Sequence, residues 1–123
     1  MTPRVVQVQT TLPDEPSARR IASTLVEARL AACIQVLGPL HSTYRWEGRV
    51  EQATEWLCLI KTTDTGLNML LPRLRELHPY DTPEIIVLPV IGGDPGYLAW
   101  VESEVCGEKG EGRRERREDD GQV

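Results

Sequence analysis

Hydrophobic positions along this chain change period several times, and each change marks an element. Val5 to Thr10 alternates loosely among β-forming residues, which predicts a first strand. Pro13-Asp14-Glu15-Pro16 breaks that strand. Asp14 suits an N-cap, Pro16 is tolerated in a first helical turn, and Ala18, Ile21, Ala22, Leu25 and Ala28 recur at helical spacing, so a helix is predicted from about Glu15 to Leu30. Arg19, Arg20, Glu27 and Arg29 then fall mostly on its solvated side. A second strand follows from Ala32 to Leu37, is interrupted by Gly38-Pro39, and resumes from His41 to Trp46 before a hairpin tip at Glu47-Gly48. Glu55 to Lys61 is apolar on both faces and reads as a central strand. Leu67, Leu70, Leu71, Leu74 and Leu77 then form a helical stripe with Pro72 inside it, so this helix either starts late, near Asn68, or is kinked. Ile85 to Ile91 is the fourth strand, ended by Gly92-Gly93, and Asp94-Pro95 opens a short third helix carrying Tyr97, Leu98, Val101 and Val105.

The resulting order, βαββαβ plus a final helix, is the α+β pattern of a ferredoxin-like sandwich, in which two helices cover one face of an antiparallel sheet. Its other face has no second layer within the chain. Strands rich in Val, Ile, Leu and Trp on both sides therefore predict self-association.

Composition narrows the function classes. A chain of 123 residues fits one domain with a real core, and with no Phe the interior falls to Leu, Ile, Val and the three Trp. The net charge of −5, with no basic face, argues against a nucleic-acid partner. No run of about eighteen apolar residues is present, and Met1-Thr2-Pro3-Arg4 lacks the apolar stretch of a signal peptide, so the expectation is a cytoplasmic protein with no membrane partner. Cys33, Cys58 and Cys106 are odd in number and widely spaced, which signals free thiols rather than a disulfide framework or zinc knuckle. From Gly107 onward the chain turns to Gly, Glu, Asp, Arg and Lys, so residues 1–106 are expected to form the domain and 107–123 a disordered charged tail.

The stretch His78-Pro79-Tyr80-Asp81-Thr82-Pro83-Glu84 carries the densest chemistry. Its two prolines fix their own φ and bias His78 and Thr82 away from helix, so an imidazole, a phenol and two carboxylates are held on a stiff corner. Such a corner is either a site or a plain helix-to-strand connector.

Taken in order, Thr11-Leu12-Pro13-Asp14-Glu15, Leu30-Ala31-Ala32-Cys33-Ile34, Ser42-Thr43-Tyr44-Arg45-Trp46-Glu47-Gly48, Glu55 through Thr62, and the His78 corner with Tyr97-Leu98-Ala99-Trp100 resemble the CutA family of divalent-cation tolerance proteins, over about Val5 to Val105. The resemblance implies a cytoplasmic homotrimer of ferredoxin-like subunits packed sheet to sheet, similar in architecture to the PII signalling proteins, with no enzyme activity and with divalent metal ions, copper foremost, as partners. Some copper-binding members carry a thiol at the end of the first strand and a second His just before the proline corner. Here Thr10 and Leu77 stand in those places, so a soft multi-ligand copper site is incomplete. Gln35 also stands where the family usually has Asn.

Three metal ligands are therefore expected, His78, Cys33 and Glu84, for a weakly held Cu or Zn. Cys33 could bind a soft metal as thiolate or pack as a small hydrophobe; His78 could ligate or be a hydrogen-bonded structural residue. Cys58 reads as core. Tyr44, Trp46, Lys61, Tyr80, Tyr97 and Trp100, on strand ends and connectors, would line an intersubunit cleft if trimer symmetry sets the strand ends of one subunit against the hairpin of the next. They serve equally as aromatic interface anchors. An enzyme with Cys33 or Ser42 as nucleophile and His78 as base lacks any supporting motif.

Overall fold

A computed structural model describes residues 4–106 of the chain. The expected tail, 107–123, lies outside these described residues. Seven elements follow one another: β1 (Val5–Leu12), α1 (Glu15–Glu27), β2 (Cys33–Trp46), β3 (Arg49–Thr63), α2 (Leu67–Leu77), β4 (Ile85–Pro89) and α3 (Pro95–Glu104). The sheet order is β2-β3-β1-β4 with every neighbouring pair antiparallel, which is the ferredoxin-like arrangement with an added C-terminal helix.

Asp14 caps α1 by accepting the Ser17 N–H at 2.8 Å. That helix stops three residues earlier than periodicity predicts, because Arg29 adopts φ 63° and the Leu30 N–H turns back to Leu25 O at 3.0 Å. Arg29 thus leaves the solvated helical face. Its guanidinium donates instead to Ser103 O and Glu104 O, both at 3.2 Å, a cation placed on the carbonyl end of α3. The second helix runs from Leu67 to Leu77 with Pro72 inside it, and β4 ends at Pro89 rather than Ile91.

The main core lies between the sheet and its two helices. Val8, Leu12, Cys58 and Ile60 point from the strands onto Ala18, Ile21, Leu25, Leu70 and Leu74, all at or near complete burial. Burial pushes the Cys58 thiol up to about 11, so it packs as an apolar group. A smaller cluster of Val5, Ala32, Val101 and Val105 seats α3 at the end of the sheet where β1 begins.

The opposite face is uncovered within the chain. Register places Gln7, Gln9 and Thr11 of β1, Leu57, Leu59 and Lys61 of β3, Gln35 and Leu37 of β2, and Ile86 and Leu88 of β4 on it. It is a mixed surface rather than the Val, Ile, Leu and Trp surface expected: its glutamines and Lys61 bond among themselves, as in the 2.7 Å contact from Lys61 Nζ to Gln35 Oε1.

β2 and β3 continue as a long hairpin beyond the helices, joined by Glu47 and Gly48, both at positive φ, as a two-residue hairpin turn requires. A one-residue bulge interrupts their pairing: Leu37 pairs with Leu57, yet Leu40 pairs with Glu55. The bulge contains the cis Gly38–Pro39 bond, and Gly38 lies flat on the Trp56 indole, where a Cβ would stand 2.7 Å from Cγ.

Candidate functional site

The stiff corner joins α2 to β4, and His78 is its hinge pin. Leaving the helix in an extended conformation, it turns its ring inward and is 8% exposed. Its Nδ1 accepts the Tyr80 N–H at 3.2 Å, which places the ring proton on Nε2. Nε2 lies 3.0 Å from both Thr11 O and Thr10 Oγ1 at the end of β1. Burial holds the imidazole below its usual range, with the Arg75 charge acting the same way and the Thr11 hydrogen bond and Glu55 charge opposing. Arg75 also ties the corner from outside, donating to Asp81 O at 3.3 Å.

Tyr80 stacks at a tilt on His78, with ring centroids 5.1 Å apart, and sends its hydroxyl across the sheet edge to Glu55 Oε2 at 2.8 Å. Burial, followed by this bond and the Glu55 charge, pushes the phenol well above its ordinary value, so it remains a donor. Glu55 is itself 8% exposed, an unusual burial for a carboxylate.

Around this pair opens a cavity of about 730 Å³, lined by Tyr44 and Trp46 of the hairpin, Glu55, and the corner residues Tyr80, Asp81 and Glu84, with Thr11, Ser42, Thr43, Pro79 and Thr82 between them. The bulge is what brings the hairpin aromatics here. Before it, odd-numbered β2 residues share a face with Leu57; after it, Leu40, Ser42, Tyr44 and Trp46 take over that face. Tyr44 and Trp46 thereby join Glu55.

The expected site residues divide into two groups. Tyr44, Trp46, Tyr80 and Glu84 meet in the cavity; His78 stands behind it, touching Tyr80 but absent from the lining. Cys33 and Lys61 sit opposite one another at the far end of β2 and β3, with Tyr97 against Cys33 and Trp100 stacked 5.7 Å from Tyr97. Lys61 pairs with Gln7, whereas His78 bonds at Thr11, four positions on, or roughly 13 Å along the strand. One chain therefore does not unite His78 with Cys33. Among the described residues no three His, Cys, Asp or Glu side chains are grouped as a metal site would need. Tyr97 is raised by burial first and by Cys33 second. Glu55 was not singled out from the sequence; a lone carboxylate opening an otherwise apolar central strand was the signal available.

Residues 6–104 match the family described as CutA1 divalent ion tolerance protein. The chain belongs to the CutA1 family. A divalent-cation tolerance protein CutA from Pectobacterium atrosepticum is 48% identical over 96 residues, 78% of this chain and 87% of that protein. The crystal structure of CutA from Xylella fastidiosa superposes with a TM-score of 0.80 at 44% identity, covering 83% of this chain and 98% of that one. CutA from Archaeoglobus fulgidus, described as periplasmic, superposes at 0.78 with 32% identity, over 81% of this chain and 97% of its own. No described helix is long and apolar enough to cross a membrane.

Proposed function

We propose that this chain acts as a homotrimeric cytoplasmic protein of divalent metal tolerance, in which metal ions such as copper or zinc bind weakly and no reaction is catalysed. Membership of the CutA1 family over residues 6–104 carries the metal reading. Weakness follows from the chemistry of the donors. A metal approaching His78 must displace the Tyr80 N–H from Nδ1 or draw Nε2 away from Thr11, and among the described residues no group of three His, Cys, Asp or Glu side chains stands ready to hold an ion. The residues present thus fit a tightly held ion poorly. Trimerisation is supported by the uncovered sheet face, where Leu37, Ile86 and Leu88 are exposed beside hydrogen-bonding glutamines, and by the projecting hairpin with Tyr44, Trp46 and Val50 at its tip.

Native mass spectrometry of freshly purified protein is the test of assembly and of any retained metal together; a monomer at all concentrations refutes the trimer. Calorimetric titration with Cu(II) or Zn(II) tests the metal reading. Affinity of about micromolar or weaker is expected, lost largely in His78→Ala and less in Cys33→Ser. Nanomolar affinity that survives the His78 change refutes it and points to the Cys33 thiol.

A second reading is favoured by the cavity beside Tyr80, whose 730 Å³ suits a small molecule. In that reading the trimer is a PII-like sensor or scaffold, and the Cys33, Lys61, Tyr97 and Trp100 end of a neighbouring subunit completes the cleft that Tyr44, Trp46 and Tyr80 begin.

A further inference from the structure

The cavity beside Tyr80 has a definite electrostatic character. Three carboxylates line it, Glu55, Asp81 and Glu84, and no Lys or Arg does. Three aromatic rings, Tyr44, Trp46 and Tyr80, stand beside them, with neutral Thr and Ser hydroxyls and Pro79 completing the lining. Glu55 is the decisive group, because it is a carboxylate more than nine-tenths buried that receives a single hydrogen bond, on Oε2 from Tyr80. Its other oxygen has no hydrogen-bond partner among the described residues, and no ion pair involves it. A buried carboxylate with one neutral donor is costly unless a cation completes it. Aromatic faces attract that same charge through their quadrupoles.

We propose that this cavity takes a small organic cation, an amine in its ammonium form, with the charge held between Glu55 and the faces of Tyr44 and Trp46 and with Asp81 and Glu84 drawing it in at the rim. The assignment rests on the reading of the cavity as a small-molecule cleft and supplies the ligand's chemical class. It excludes anions. The 730 Å³ volume admits an ammonium with an attached ring or chain. Tyr80 fixes the carboxylate in place, and the Tyr80-to-His78 contact fixes Tyr80, so the acceptor is set before the ligand arrives.

Three probes that share one ring and differ in charge test this on the full chain: benzylammonium, benzyl alcohol and benzoate, each followed by NMR shifts of the Trp46 indole and Tyr80 ring. Benzylammonium is expected to bind about tenfold or more tightly than benzyl alcohol, and benzoate not at all. Glu55→Gln keeps an acceptor for the Tyr80 hydroxyl and should bring benzylammonium down to the level of the alcohol; Tyr44→Leu, at an exposed position, should weaken it independently. Glu102→Gln on α3, outside the cavity, should change nothing. Equal binding of amine and alcohol overturns the proposal, as does full amine binding by Glu55→Gln. Benzoate shifting these resonances while the amine does not overturns the ammonium assignment and leaves the cleft standing. Silence from all three probes overturns both. A fall in oligomer mass in Glu55→Gln, with the amine silent, also overturns it, because the cation on Glu55 is then an arginine or lysine of a second copy.

Discussion

Replacing Tyr80 by Phe removes one oxygen atom and tests the contact that closes the corner onto the sheet. That oxygen donates to Glu55 Oε2 at 2.8 Å, and Glu55 is 8% exposed, so water is poorly placed to take over. A hydrogen bond to a charged group contributes about 1.5–3 kcal/mol. Because Tyr80 is only half-buried, some solvent reaches the vacated position and the expected loss lies near the lower end, about 1.5–2 kcal/mol. Urea unfolding at one fixed protein concentration measures it, since any self-association couples to the transition. The midpoint should fall with an unchanged slope. The same substitution in a Glu55→Ala background should cost little, giving a coupling energy close to the whole single-mutant effect. A loss below about 0.5 kcal/mol, or an undiminished loss without Glu55, refutes the claim that this bond holds the corner.

Three further outcomes are expected. Burial lowers the folded-state value of His78 below 6.5, so the neutral ring is favoured on folding; the stability it contributes is complete above about pH 6.5 and is lost as pH falls through the lowered folded value. Stability measured from pH 7 to 5.5 should therefore fall, and His78→Gln should flatten that slope. Gly38→Ala should destabilise by about 1–3 kcal/mol, because the new methyl collides with the Trp56 ring, and a Trp56→Leu background should relieve much of it in thermal unfolding. Removing residues 107–123, rich in charge and glycine, should leave the melting temperature within a degree or two, and a loss of several degrees in calorimetry would show that this segment packs on the domain.

Elements built from local pattern were legible in the sequence: Asp14 caps its helix, Glu47-Gly48 turns its hairpin, and β3, apolar on both faces, lies inside the sheet. Boundaries set by distant partners were not. Arg29 leaves α1 because carbonyls at the end of α3, some 75 residues away, receive its guanidinium, and periodicity carries no trace of that exchange. The candidate site was half legible for the same reason. Tyr44, Trp46, Tyr80 and Glu84 were named from residue type and do share one cavity, whereas Glu55 gains its meaning only from the Tyr80 hydroxyl reaching it across 25 positions. His78 was open from the sequence to two readings, ligand or hydrogen-bonded structural residue, and the partners of its two ring nitrogens, a matter of backbone geometry at Thr11 and Tyr80, were not legible there.

The bulge at Gly38-Pro39 sets where this hairpin can lose a residue over evolutionary time without changing its chemistry. It holds the one residue of β2 with no counterpart on β3, since Leu37 to Leu40 spans three steps where Leu57 to Glu55 spans two. Loss of one residue there leaves a regular ladder in which Leu40 still meets Glu55 and Ser42, Tyr44 and Trp46 keep their face. Loss of His41 instead, with the bulge retained, reverses the alternation beyond it and brings Thr43 and Arg45 to that face in place of Tyr44 and Trp46. Two relatives that differ by a gap at positions 38 and 39 thus keep the same aromatic wall, whereas a gap at position 41 exchanges it, and where an alignment places the gap decides whether their pockets are comparable.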